Sequence, residues 1–282
     1  MSVRFSIITI CYNAAKVLPV TIESVLAQDF GDFEYVIEDG ESTDDTPDIV
    51  ESYRKKFEKK GIRLIYNRKS DEGIYDAMNK GVASSSGDYI NFMNAGDCFY
   101  SADVLTRVSG AADDKKDPVI IYGDCAVYEY GRFFRFNKDL SNICENMPFS
   151  HQSVFASASF VRTHPFDTSL RFSADYDFLL SAYDEGVEFL DAKTIVCITT
   201  ADGLSSVKYH DTLMESAEIL KKHGRFAHTD EELKKRERSL RLRQFVLDHF
   251  PVFVKKYIRG RQIEKRGQNL KVDIPKWYVN ML

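Results

Sequence analysis

The chain has 282 residues, of which 44% are hydrophobic and 29% charged, with a formal net charge of -5. That balance describes an ordinary soluble globular protein with enough chain to bury a sizeable core in one or two domains, and it argues against a nucleic-acid partner for the whole chain. The five cysteines, at 11, 98, 125, 144 and 197, are scattered, odd in number and lack a C-x-x-C pair, so neither a disulfide framework nor a zinc knuckle is indicated and a reduced, cytoplasmic setting is expected.

The first hundred residues alternate strand and helix patterns. Phe5 to Ile10 is a short apolar run suited to a strand buried on both faces. Leu18, Ile22, Val25 and Leu26 recur at helical spacing, and Phe33 to Ile37 reads as a second strand. Ile49, Val50, Tyr53 and Phe57 predict a second amphipathic helix that starts near Thr46-Pro47. Arg63 to Tyr66, Ile74 to Val82 and Tyr89 to Met93 read as strand, helix and strand. This order implies a parallel sheet with helices on both faces.

Beyond residue 100 the pattern changes. Strands are expected at Val119 to Tyr122, at Ala126 to Phe136 with an interruption at Tyr130-Gly131, and at Gln152 to Ala156. A helix from Asp175 to Tyr183 leads to strands at Glu188 to Leu190 and Ile195 to Thr199. From Asp211 the chain reads as helices, broken near Gly224, Pro251 and Gly267. Residues 234–282 carry 14 Lys+Arg against 4 Asp+Glu, a basic tail on an acidic body. Such a tail suits a solvated helical face, a homodimer contact or an anionic membrane surface. The N-terminus shows no signal peptide, and no run approaches the ~18 apolar residues of a spanning helix.

In open parallel sheets, ligands collect beyond the carboxyl ends of the strands. Three neighbouring strand ends here carry polar turns: Thr9-Ile-Cys-Tyr-Asn13, Glu38-Asp-Gly-Glu-Ser-Thr-Asp-Asp-Thr46 and Asn94-Ala-Gly-Asp97. Neither G-x-G-x-x-G nor G-x-x-x-x-G-K-[ST] occurs. Acidic residues at strand ends instead suit a divalent cation, Mn2+ or Mg2+, that bridges a protein carboxylate and diphosphate oxygens. Asp39 either accepts hydrogen bonds from a nucleoside or caps the following helix, with Ser42 and Asp44 as competing caps.

Four segments resemble the large inverting glycosyltransferase family 2, whose fold is the GT-A type. They are Phe5-Ser-Ile-Ile-Thr-Ile-Cys-Tyr-Asn13, Val36-Ile-Glu-Asp-Gly-Glu-Ser-Thr-Asp-Asp-Thr46, Asp71-Glu-Gly-Ile-Tyr-Asp-Ala-Met-Asn-Lys-Gly81 and Gly87-Asp-Tyr-Ile-Asn-Phe-Met-Asn-Ala-Gly-Asp97. The wording of the last two looks most like bacterial exopolysaccharide and capsule enzymes, including the colanic-acid type. The resemblance implies a mixed, mainly parallel α/β sheet: a GT-A catalytic domain over 1–205, divided into a nucleotide-sugar half (1–100) and an acceptor half (101–205), then a helical basic extension over 206–282. It implies that Thr9, Tyr12, Asn13 and Asp39 contact the nucleoside, that Asp71, Asn79 and Asn94 line the donor pocket, and that Asp97 reaches the metal. Ser150-His-Gln-Ser153 resembles the family's His-Gln segment, which places His151 and Gln152 near acceptor and donor sugar. Ser173-Ala-Asp-Tyr-Asp-Phe178 resembles the region that supplies the catalytic base, which makes Asp175 the base and Asp177 its reserve.

Three departures stand out. The usual D-x-D-D is Asn94-Ala-Gly-Asp97, the acid before the base is Ala174, and Glu41 stands where glycine is usual. The implied reaction is a single displacement at the anomeric carbon of a nucleotide sugar, with uridine the commonest base, onto a glycan or lipid-linked acceptor in surface polysaccharide synthesis. Asp175 begins a helix whose N-terminus favours an ionised carboxylate, so it would act by proximity more than by basicity. A mobile flap is expected at Gly203-Leu-Ser-Ser206, followed by Lys208 and His210. The rival readings are a nucleotidyltransferase, for which the Gly-rich basic loop is absent, and a nucleotide-sugar-binding protein without turnover.

Overall fold

A computed structural model of the chain describes residues 4–113, 115–129, 132–136, 139–200, 209–225 and 230–251, with a few single positions beyond. One sheet organises them. Strands β1 (Phe5–Cys11), β2 (Phe33–Asp39), β3 (Arg63–Arg68) and β4 (Tyr89–Phe92) are parallel in the order β3-β2-β1-β4, with Phe5 opposite Phe33 and Cys11 opposite Asp39. Helices α1 (Leu18–Leu26), α2 (Thr46–Lys60) and α3 (Ile74–Ser84) make the crossovers.

Helix α2 follows its sequence signals closely. Pro47 lies in the first turn with Asp48, Lys59 and Lys60 occupy the last turn, and Gly61 ends the helix at φ 72. Helix α3 lies unusually close to the sheet. A Cβ at Gly81 would sit 2.5 Å from Ile8 Cγ2, so only glycine permits that approach.

The second half mixes antiparallel and parallel pairings where the first is all parallel. The short β5 (Cys98–Phe99) and α4 (Val104–Ala111) lead to β6 (Val119–Glu129) and β7 (Arg132–Phe136), which pair as a hairpin. Then come a 3₁₀ turn at His151–Ser153, β8 (Val154–Ser157), α5 (Ala158–Thr163), α6 (Ala174–Asp184) and β9 (Glu188–Thr200). Strand β8 joins the halves, running antiparallel to both β4 and β6. Strand β9 runs parallel to β6 and antiparallel to β5. Two expected strands over 188–199 are one strand, bent at Lys193 with φ 52, and the expected strand from Gln152 begins at Val154 instead. Helices α7 (Tyr209–Lys222) and α8 (Asp230–His249) follow.

Alternate residues of the parallel strands feed two cores. Phe5, Ile7, Tyr35 and Ile37 pack with Leu18, Ile22, Val25, Val50 and Phe57 on one face. Ile8, Ile10 and Val36 pack with α3, α5 and α6 on the other, where Ile219 and Leu220 of α7 are also buried. This alternation decides which polar residues can reach the rim of the sheet.

Candidate active site

The carboxyl ends of β1, β2 and β4 lie side by side, as the parallel register requires. Asp39 closes β2 with 1% exposure; its Oδ1 accepts the Ser42 amide at 2.7 Å and its Oδ2 accepts the Tyr66 hydroxyl at 2.6 Å. It therefore shapes the turn after β2 and does not cap α2, whose first turn is held by Asp44 Oδ1 on the Thr46 amide. Asn13, at φ 50, locks the facing turn: its Oδ1 accepts the Thr43 amide at 2.8 Å and its own amide donates to Ser42 Oγ at 2.8 Å. Tyr12 stands beside them at 65% exposure, free to lie against a planar ligand. Asp71 closes this side. A Cβ on Gly40 would sit 2.5 Å from Asp71 Oδ2, so the glycine lets the carboxylate lie on the backbone of the β2 turn. Glu41 takes the left-handed backbone, φ 62, in place of the usual glycine.

The other side of the rim is a linked set of side chains from both halves. Asp97 Oδ2 accepts Gln152 Nε2 at 2.6 Å, and Thr21 Oγ1 of α1 donates to the Asp97 carbonyl at 2.7 Å. Desolvation pushes the Asp97 carboxyl up to about 6, against the opposing pull of Gln152, His151 and the Thr200 amide. Asn94 Nδ2 donates to His151 Nε2 at 3.0 Å, which makes Nε2 the acceptor and leaves the ring proton on Nδ1. That Nδ1 donates to Asp175 Oδ2 at 3.0 Å. The Tyr75 hydroxyl of α3 reaches Asp175 Oδ1 at 3.3 Å, and the Tyr176 amide reaches the same oxygen at 2.9 Å. Burial, then the Asp175 carboxylate, raises the Tyr75 phenol far above its ordinary range, so it stays a proton donor. A small apolar cavity of about 20 Å³, bordered by Met78, Phe92, Phe166 and Phe178, flanks His151 and Asp175. Its low polarity strengthens the hydrogen bonds at its edge.

Asn94, Asp97, His151, Gln152 and Asp175 are thus brought together, and Tyr12, Asn13, Asp39 and Asp71 border the same rim. Three expected site residues stand elsewhere. Thr9 lies on the α1–α2 face of β1 with no exposed surface; its hydroxyl donates to the Met93 carbonyl at 2.7 Å and accepts from Tyr35, so no nucleoside reaches it here. Asn79 spends both ends of its amide on the backbone of Phe166, at 2.9 Å each, and ties α3 to the segment before α6 instead of lining the donor pocket. Asp177, two residues along α6 from Asp175, turns toward α7, where Lys222 Nζ at 3.0 Å and His223 Nε2 at 2.9 Å hold it. The strand period and the 3.6-residue helix turn, which motif order ignores, account for all three.

Sequence reading missed Tyr66 and Tyr75, which hold the two key carboxylates, and Thr21. Tyr75 was within reach, because it sits inside the Gly-Ile-Tyr-Asp segment. Ala174 is 1% exposed in the second core, which explains why an acid is absent before Asp175. The expected flap at 203–206 and Lys208 lie outside the described residues; His210 lies on α7, with Nε2 3.1 Å from Glu237 Oε1.

Comparison with known proteins agrees with this geometry. The profile of "Glycosyl transferase family 2" matches residues 6–175. A PGL/p-HBAD biosynthesis glycosyltransferase of Mycobacterium bovis is 35% identical over 185 residues, covering 64% of this chain and 69% of its own. A GalNAc(5)-diNAcBac-PP-undecaprenol beta-1,3-glucosyltransferase of Campylobacter jejuni is 26% identical over 128 residues, 45% of this chain and 40% of its own. Among solved structures, S. aureus TarS 1-349 in complex with UDP-GlcNAc superposes with a TM-score of 0.61 at 18% identity, covering 77% of this chain and 65% of that one. The mannosyltransferase PcManGT from Pyrobaculum calidifontis, with GDP-Man and Mn2+, gives 0.59 at 18% identity over 79% of this chain and 63% of that one. The chain therefore spans slightly less than two thirds of these solved chains. The mycobacterial relatives act in PGL/p-HBAD biosynthesis, which corrects the expected likeness to colanic-acid enzymes. The GT-A sheet, the clustered rim and the match over 6–175 together make this chain a glycosyltransferase that belongs to glycosyl transferase family 2.

Proposed function

We propose that the chain transfers a sugar from a uridine-diphosphate sugar, with inversion at the anomeric carbon, to a lipid-linked or glycan acceptor in surface-glycan synthesis. The observation that carries this reading is the Asn94–His151–Asp175 chain, which seats a carboxylate beside the strand end that bears Asp97. The UDP complexes of structural neighbours and the PGL/p-HBAD and undecaprenol relatives support the donor and acceptor classes.

In this mechanism Asp175 takes the proton of the acceptor hydroxyl as that oxygen bonds to the anomeric carbon. The bond from the same carbon to the diphosphate oxygen breaks, and its electron pair leaves with the nucleotide. His151 Nδ1–H and the Tyr75 hydroxyl fix the two Asp175 oxygens, so the base is oriented before the acceptor arrives. Tyr12 offers an exposed ring to the nucleoside, on turns that Asn13, Asp39 and Asp71 shape.

Neighbours of this fold hold Mn2+. The residues present fit a divalent cation that keeps most of its ligands from diphosphate and water. Asp97 supplies one carboxylate, and Asn94 Oδ1 is a buried oxygen with no hydrogen-bond partner. Among the described residues no cluster of three His, Cys, Asp or Glu side chains could hold a metal by itself. The cation would neutralise charge on the departing diphosphate.

The test is a donor screen by thermal shift with several nucleotide sugars, followed by transfer assays with Asp175→Asn. Loss of transfer by roughly 10²- to 10⁴-fold, with UDP affinity nearly unchanged, is expected for a general base. Retained transfer would move the base elsewhere, and preference for a guanosine donor would overturn the assignment of uridine.

A further inference from the structure

The family match ends at residue 175, and the helix that carries Asp175 in its first turn runs on beyond it. Helix α7, further along the chain, meets α6 at both ends. Ahead of α6, Glu215 Oε1 accepts the Arg171 amide and Oε2 the Phe172 amide, each at 2.7 Å. Ser216 Oγ stands 3.3 Å from Ser173 Oγ. Ser173 is the residue that precedes α6, and its side chain caps no amide of that helix. Its hydroxyl faces α7 instead, so the start of α6 is held from outside. At the other end Lys222 and His223 reach Asp177, and His223 and Arg225 reach Asp184. Ile219 and Leu220 are buried between the two grips, in the core that α6 also lines. From the opposite side Tyr75 and Asn79 of α3 hold Asp175 and Phe166. The loop that delivers the carboxylate is therefore tied to a helix on either side.

We propose that Glu215 is a positioning residue for the transfer reaction: by fixing the amides of Arg171 and Phe172 it sets where α6 starts, and so where the Asp175 carboxylate stands. Two successive N–H groups aimed at one side chain need two acceptors, and a carboxylate offers two with no donor of its own. Charge-assisted hydrogen bonds of this kind are roughly twice as strong as neutral ones. The accuracy matters because a displacement of about 1 Å at a catalytic group can cost roughly 10²-fold in rate. Both Glu215 oxygens lie on backbone amides and not on the rim, so the influence of Glu215 on the reaction passes through Asp175. The inference rests on the reading of Asp175 as the base.

Glu215→Gln tests it, because glutamine keeps the size of the side chain but turns one acceptor into a donor that faces an amide. Amide exchange of the full chain, read by mass spectrometry with no ligand present, should quicken over 171–177 and hold over β1 to β4. Turnover is read as nucleoside diphosphate released, with water as acceptor, from the nucleotide sugar that gives the largest shift in the screen above. The variant should lower kcat about tenfold or more and leave the donor KM and UDP affinity unchanged. Introduced into Asp175→Asn, the same substitution should lower the residual rate no further, since groups that act as one unit are not additive. A purely structural role would lower both rates by the same factor. Glu218→Gln, exposed on the same helix, should keep the parent kcat. Unchanged exchange over 171–177, faster exchange throughout, unchanged kcat, equal losses in both backgrounds or an equal loss in Glu218→Gln would each overturn the proposal. Undiminished turnover in Asp175→Asn with Glu215 intact would instead remove the reading of the base on which it rests.

Discussion

The two halves of the rim are built in different ways. On the proposed nucleotide side the polar residues mostly hold neighbouring turns of the same parallel sheet: Asp39 on Ser42 and Tyr66, Asn13 on Thr43 and Ser42. On the proposed catalytic side the contacts cross between halves: Gln152 on Asp97, Asn94 on His151, Tyr75 on Asp175. The first side is a locally encoded frame. The second exists only once β8 has brought the antiparallel half alongside β4. Damage to the first should therefore show mainly as lost stability or donor affinity, and damage to the second mainly as lost turnover.

The sharpest way to break that contrast is at His151. His151→Ala removes the Nδ1 donor from Asp175 and leaves the Asn94 amide without its partner. Misplacing a catalytic group by about 1 Å can cost roughly 10²-fold, so kcat should fall by about 10- to 100-fold while the KM for donor and the UDP affinity hold. A raised KM with unchanged kcat would place His151 in donor binding instead.

A smaller effect is expected at Asn79, which the motif places at the donor and the structure places on Phe166. Asn79→Ala removes two backbone hydrogen bonds and should cost about 1–3 kcal/mol in urea unfolding, with UDP affinity of the folded protein unchanged. A fall in UDP affinity without a fall in stability would restore the donor role.

The smallest change is a gain. Glu41 is an exposed residue at φ 62, so Glu41→Gly should stabilise the chain by about 1 kcal/mol, read as a shift in denaturation midpoint. A loss would mean that the Glu41 side chain makes a stabilising contact of its own.

The aligned helices and strands of the first hundred residues were legible because hydrophobic period and Pro47 act locally. Beyond residue 100 legibility fell. The β6–β9 pairing that makes β9 one bent strand joins residues distant in sequence, and α4 and α5 are only 8 and 6 residues long, too short for a period to declare itself. Asp175, the proposed base, was legible only through its likeness to a known family.

From the sequence alone came the fold class, the rim of strand ends and the identity of most rim residues, since these follow from side-chain period and turn chemistry within single segments. Tertiary structure alone decided which of those residues face the cleft. It turned Thr9 into the α1–α2 core, gave Asn79 to Phe166 and Asp177 to α7, and set Tyr75 on Asp175. The physical reason is that a side chain's direction depends on register and packing against partners far along the chain, information that no local motif carries.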